Sequence, residues 1–214
     1  MSPLDGPPWL EGTGVLEVAH DYGIPFVRDL SEDSSDTLDS ERSPAPNGGY
    51  AILCTGAIAW KGIWQPKSPP DPLDAAYAFH EMMHVLCTPP SLLTRDGLDD
   101  LWEGWVLLPF ERTLARRKLT RPVYDEVIDY QRGTYVTDFI ELSEWASVTR
   151  SAWWRRGLDT ARLLGLLDPA GRPTGRRPDW SKIDVDHLLD ASQAAVDRVR
   201  YPRKAQTQAA RWRR

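Results

Sequence analysis

The run His80-Glu81-Met82-Met83-His84 constrains this chain more than any other stretch, because its chemistry works only if the five residues are helical. At 3.6 residues per turn, positions i and i+4 share one face a single turn apart. A helix therefore presents both imidazoles to one ion at roughly 2.0–2.1 Å and leaves the Glu81 carboxylate beside it. A divalent zinc lowers the pKa of its water to about 7, so a neighbouring carboxylate can take a proton from that water at neutral pH and deliver hydroxide to a carbonyl. The flanks support the helix. Asp71-Pro72-Leu73-Asp74 supplies a proline and a capping aspartate, and Pro89-Pro90 stops the chain after Cys87. The pattern predicts a helix over 73–87, with Ala76, Tyr77, Phe79, Met83 and Leu86 covering the sides away from the ion. The bland reading of the same run is a core helix carrying two satisfied histidines.

Two histidines leave a catalytic zinc site short of a ligand, since such sites use three protein ligands and keep one position open. Glu103 is the candidate third ligand. Eighteen residues separate it from His84, inside an apolar stretch at 98–108 that reads as a second helix, and this spacing resembles that of the glutamate-zincin peptidases. Asp99, Asp100 and Glu111 lie on or near the same element and read as solvated charges. Cys87 falls one turn beyond His84. A thiolate there would close the site and make it structural, whereas a buried free cysteine behaves as a small hydrophobe.

The rest of the chain bounds the alternatives. At 214 residues and 41% hydrophobic content it can bury one good core. No run approaches the roughly 20 apolar residues of a membrane span, and the start lacks the basic flank and apolar run of a signal peptide. Two cysteines, Cys54 and Cys87, cannot make a disulfide framework, so a reducing cytoplasm is the expected compartment. A net charge of -5 argues against general nucleic-acid binding. The basic 202–214 tail, with Arg203, Lys204, Arg211, Arg213 and Arg214, is the one segment that could touch nucleic acid or an acidic partner.

Along the chain, 14–23 reads as a short helix closed by a glycine, and 24–30 as extended. The Ser, Asp, Pro and Gly-rich 31–48 reads as a mobile acidic loop. The segments 50–54 and 57–60, joined through Thr55-Gly56, predict a hairpin ahead of the metal helix. Beyond Pro109, 110–119 reads as a helix with Arg112, Arg116, Arg117 and Lys118 on a solvated face. A short helix is expected over 123–130 and a long one over 141–167, burying among others Trp153, Leu163, Leu164, Leu166 and Leu167. A Pro, Gly and Arg-rich connection at 168–180 and an amphipathic helix at 185–199 complete the chain.

Taken together, the helix entering Gly23-Ile24-Pro25, the Gly49-Tyr50 strand, the second strand at 57–60, Phe79-His80-Glu81-Met82-Met83-His84 and a glutamate ahead of Leu107-Leu108-Pro109 resemble the ImmA/IrrE-like zinc peptidases. This family is associated with mobile elements, phages and stress responses, and some members cleave a repressor. The resemblance implies one zinc per chain on His80, His84 and Glu103, with Glu81 as catalytic base. It departs from the family at the third ligand, where Glu103-Gly104-Trp105 replaces the common Glu-Ala-Asn.

The expectation is thus an α+β protein, a helix-dominated zincin-like core with a small β-sheet preceding the HExxH helix. Its segments are 1–30 (helix and strand), 31–48 (loop), 49–167 (catalytic core), 168–201 (linker and helix) and 202–214 (basic disordered tail). The expected activity is zinc-dependent hydrolysis of a peptide bond in a cytoplasmic protein; the resemblance implies a regulator as that protein, with the host cytoplasm as compartment if the chain is phage-encoded. The alternative is a non-catalytic protein whose fold a metal stabilises. An oxyanion donor is also required, and Tyr124, Tyr130, Arg132, Tyr135 and His187 are its candidates.

Overall fold

Asp71, Gly23 and Gly14 set the boundaries of the two helices that matter most for the site. In the structure, a computed structural model that describes residues 6–28, 49–52, 56–60, 71–92, 107–138, 152–188 and 190, helix α1 runs Val15–Tyr22. It ends at Gly23, whose φ of 61° lies in the left-handed region. The Ile24 N–H then reaches back to the Ala19 carbonyl at 2.8 Å and the Gly23 N–H to His20 at 3.1 Å, the paired closure that glycine permits at this position. His20 is exposed at the helix end. The metal-motif helix α2 spans Pro72–Cys87, capped by the Asp71 carboxylate, which accepts from the Leu73 N–H at 2.9 Å. Ala76, Phe79, Met83 and Leu86 are buried along it and Tyr77 is half-buried, as the periodicity requires.

Three short strands lie between these helices. β1 (Phe26–Arg28), β2 (Gly49–Ile52) and β3 (Ala57–Trp60) form one sheet in the order β1-β3-β2. β2 and β3 are the antiparallel hairpin that the sequence predicts, with Ala51 opposite Ile58. β1 adds to the far side of β3 in parallel, with Val27 opposite Ala59. All four residues of β3 are buried, as befits a central strand, and among the described residues β2 is an outer strand against which α2 packs.

Beyond these, α4 (Arg121–Asp138) packs against α2 and α3 (Leu108–Lys118) against α4, with α3 reaching α2 through Glu111 and His80. Helix α4 extends well beyond the expected 123–130, starting at Arg121 and continuing through Gly133. Helix α5 is described over Ala152–Leu163 and stops short of the expected Leu167. Gly165 takes a φ of 78° and the Leu166 N–H returns to the Ala161 carbonyl at 2.9 Å, so the helix closes as α1 does. The early stop turns Leu163 outward, 62% exposed, while Leu164, Leu166 and Leu167 are buried. Leu163 was expected inside; it lies outside because the glycine cap reverses the chain before the apolar run is finished. The expected elements at 31–48, 93–106, 141–151 and 191–214 lie outside the described residues, although 185–188 begins a helix as anticipated.

One hydrophobic core joins all of this. Trp9, Val15 and Tyr22 from the N-terminal segment share it with Phe79 and Leu86 of α2, Phe110 and Leu114 of α3, and Leu164 and Leu166. Arg177, in the connection beyond α5, donates to the Gly23 carbonyl at 2.8 Å. The architecture is α+β, dominated by helices, with a small sheet preceding the HExxH helix. Among the described residues no helix is long and apolar enough to cross a membrane.

Gly14 shows how closely the elements approach. Its φ is 92°, and a Cβ built there would overlap the Lys118 carbonyl oxygen and crowd Leu119; the Thr120 N–H donates to the Thr13 carbonyl at 3.0 Å in the same place. Gly14→Ala combines left-handed strain with a backbone collision and is expected to destabilise the protein by about 2–4 kcal/mol. Urea unfolding checks this, and a loss below about 0.5 kcal/mol would contradict the close approach.

Candidate metal centre

The two motif histidines converge as their spacing predicts. Their Nε2 atoms stand 3.1 Å apart, with the rings edge to face at 84° and centroids 4.7 Å apart. The contact has the length of a hydrogen bond between the rings, and it is close to the about 3.3 Å that two imidazoles on one tetrahedral zinc at 2.0–2.1 Å would keep between their nitrogens. His80 is buried and His84 half-buried, which gives the pair one dry side and one side toward solvent.

What holds His80 was not visible as a motif. Its Nδ1 meets Glu111 Oε1 at 2.9 Å, and the other carboxylate oxygen accepts from Gln131 Nε2 at 2.5 Å. Glu111 and Gln131 are both fully buried. The expected solvated charge at Glu111 is therefore corrected: the residue sits in the apolar stripe of α3 among Leu107, Leu108, Leu114 and Ala115, and burial of its carboxylate is compatible with the fold because two donors saturate it. A carboxylate on Nδ1 takes the ring's N–H there and leaves Nε2 with its lone pair turned toward His84, the tautomer a metal ligand needs. Tyr130, next to Gln131 on α4, packs its ring against His80 at 4.8 Å and against Tyr77 at 5.0 Å. Two consecutive residues of α4 thus steady one imidazole, Tyr130 by contact and Gln131 through Glu111.

Glu81, half-exposed on the same helix, turns toward the sheet. Its Oε2 accepts from the Ala51 backbone N–H at 2.8 Å. Cys87 is fully buried, and burial together with the nearby Glu111 carboxylate pushes its thiol well above the ordinary range. A neutral thiol in the core is a poor metal ligand, in keeping with the hydrophobe reading of this residue. Of the five oxyanion candidates, Tyr130 alone touches a motif histidine among the described contacts. Tyr124 lies under the Arg121 guanidinium at 5.5 Å, Arg132 is exposed and paired with Asp129 at 3.0 Å, His187 is exposed, and the Tyr135 side chain lies outside the description.

Glu103, Asp99 and Asp100 lie outside the described residues. Among the described residues no group of three His, Cys, Asp or Glu side chains surrounds one point; the structure brings His80 and His84 together and turns Glu81 to the Ala51 N–H, and it does not test the third ligand. Both polar residues that sequence reasoning missed carry the same signal. Glu111 occurs in step with Leu107, Leu108, Leu114 and Ala115, and Gln131 in step with Val123 and Val127. A polar residue in phase with an apolar stripe must be partnered inside the core. No protein-family profile, no curated protein and no solved structure matches this chain.

Proposed function

We propose that this chain is a zinc-dependent peptidase of the zincin type, resembling the ImmA/IrrE-like enzymes, acting on a protein or peptide in the cytoplasm. The observation that carries the reading is the convergence of His80 and His84 at 3.1 Å with a buried carboxylate on the far nitrogen of His80. The same contacts would satisfy two core histidines, but a carboxylate behind one imidazole with a second imidazole in front of it is also the arrangement that orients a metal-binding histidine. His80, His84 and, outside the described residues, Glu103 would hold the zinc. When bound, a zinc in such a site polarises a carbonyl and makes water acidic enough to lose a proton near neutral pH.

The chain's own residues account for the rest. Glu111 fixes the His80 tautomer, Gln131 saturates Glu111, and Tyr130 blocks rotation of the imidazole. Glu81 is the proton acceptor one residue from the first ligand, on the side of α2 that faces β2. An outer strand at this place suits recognition of extended backbone, since a substrate can pair with its edge. The alternative, a metal-stabilised binding protein without turnover, shares the histidines and gives Glu81 only the task of tying α2 to the Ala51 N–H of β2.

Elemental analysis and a chelation series test the reading. The purified chain is expected to hold one zinc, to cleave casein-derived peptides, to lose cleavage on removal of the metal and to regain it on adding zinc. Zinc retained at one per chain with no cleavage of any peptide would favour the structural alternative.

A further inference from the structure

The hydrogen bond that holds Glu81 uses a group a peptide substrate would need. Ala51 lies opposite Ile58 in the β2–β3 hairpin. The Ile58 N–H does not turn to Ala51 but donates to the Pro25 carbonyl on the β1 side at 3.0 Å. In an antiparallel ladder, facing residues either exchange both bonds or point their N–H and C=O groups away from each other. Ala51 belongs to the second kind. Its N–H therefore projects from the outer edge of β2, and there it meets Glu81 Oε2 at 2.8 Å.

We propose that the Glu81 carboxylate and an incoming peptide strand compete for this one donor, so that pairing of an extended substrate with β2 releases the base. The inference rests on the peptidase reading and adds to it a condition on the substrate. A strand added at the edge of β2 must take the Ala51 N–H onto one of its own carbonyls. Once that carbonyl has replaced it, the carboxylate has lost its tether to the sheet. Both of its oxygens are then free to reorient from a position one residue along α2 from His80. Before the strand arrives, a charge-assisted bond to a backbone amide holds the carboxylate in place against the sheet. A substrate unable to extend along β2 leaves the base tethered. Backbone conformation at the cleavage site would then set both binding and the readiness of the base, and folded proteins that happen to touch the site would be spared.

A double-mutant cycle on binding tests this apart from turnover. The probe is a pool of randomised biotinylated decapeptides captured by the full-length zinc-loaded protein and counted by mass spectrometry. Glu81→Gln keeps an oxygen that can accept from Ala51, whereas Glu81→Ala frees the N–H. Peptides recovered on Glu81→Ala are expected to bind it about tenfold tighter than Glu81→Gln. The gain is expected to vanish when Ala51→Pro is added, a change that an outward-facing edge position tolerates. If Ala51→Pro does not fold, replacing Ala51 by lactic acid through nonsense suppression removes the same N–H and leaves the side chain. Equal affinities for the two Glu81 variants, a gain that survives loss of the Ala51 N–H, or no recovered peptide on any variant overturns the proposal. Wild-type protein is assayed for cleavage of the recovered peptides in parallel. Cleavage without the binding gain leaves the peptidase reading standing and removes the tether, whereas the gain without cleavage does the reverse.

Discussion

Glu111→Ala is expected to cost the protein both its hold on zinc and a large share of its folding stability. The carboxylate is fully buried, with one oxygen on His80 Nδ1 at 2.9 Å and the other on Gln131 Nε2 at 2.5 Å. Alanine strands two buried donors and opens a void between α2, α3 and α4. Removing one member of a buried charged network costs about 3–5 kcal/mol, against a total of about 5–15 kcal/mol for a typical domain. The isosteric Glu111→Gln separates the two roles. It fills the same volume and keeps an acceptor for one of the donors, so the fold is expected to survive. The charge that fixes His80 is gone, however, and outer-shell changes of this kind weaken metal affinity about 10–100-fold. Competition against a zinc-sensitive dye measures the affinity, and urea unfolding of the metal-free protein measures the stability. Zinc affinity unchanged in Glu111→Gln would mean that the His80–Glu111 contact holds the core together and does nothing for an ion.

How much of this was legible in the sequence depends on the range of the interactions concerned. The motif helix, its Asp71 cap, the Gly23 closure of α1 and the β2–β3 hairpin are fixed by residues a few positions apart, and the structure has each of them within two residues of the sequence reading. The parallel pairing of β1 with β3 joins segments about thirty residues apart, and no local pattern announces it. The end of α5 was misplaced because an apolar run continuing to Leu167 looks helical, whereas Gly165 lets the chain turn and still bury Leu166 and Leu167. At the site, His80, Glu81 and His84 were legible because the helix alone sets their geometry. Glu111 was misread because a glutamate on an arginine-rich helix resembles a surface charge until its phase with Leu107, Leu114 and Ala115 is counted. The phase of Gln131 with Val123 and Val127 marks it as a core residue but not its partner, which is a tertiary contact, and the Ala51 N–H is a backbone group that carries no side-chain signature.

Glu81→Gln is expected to abolish hydrolysis while leaving zinc content and thermal stability unchanged. Glutamine matches glutamate in shape, and its amide oxygen can still accept from the Ala51 N–H, so the contact between α2 and β2 survives. His80 and His84 keep their 3.1 Å approach, and Glu111 and Gln131 keep theirs. What is lost is the capacity to receive a proton. A positioned general base contributes about 10²–10⁴-fold to the rate, and the expected fall in kcat lies at or beyond the upper end because the same carboxylate must receive the proton and hand it to the leaving amine. The comparison is made on peptides that the wild type cleaves, with elemental analysis and thermal unfolding of both proteins. A variant that retained kcat within threefold would show that proton transfer runs through another group. Because the fold and the ion are held by different atoms from the one exchanged, the result bears on chemistry alone. On the proposed reading Glu111 serves to hold the ion and Glu81 to use it, so Glu111→Gln is expected to lose zinc and Glu81→Gln to keep it.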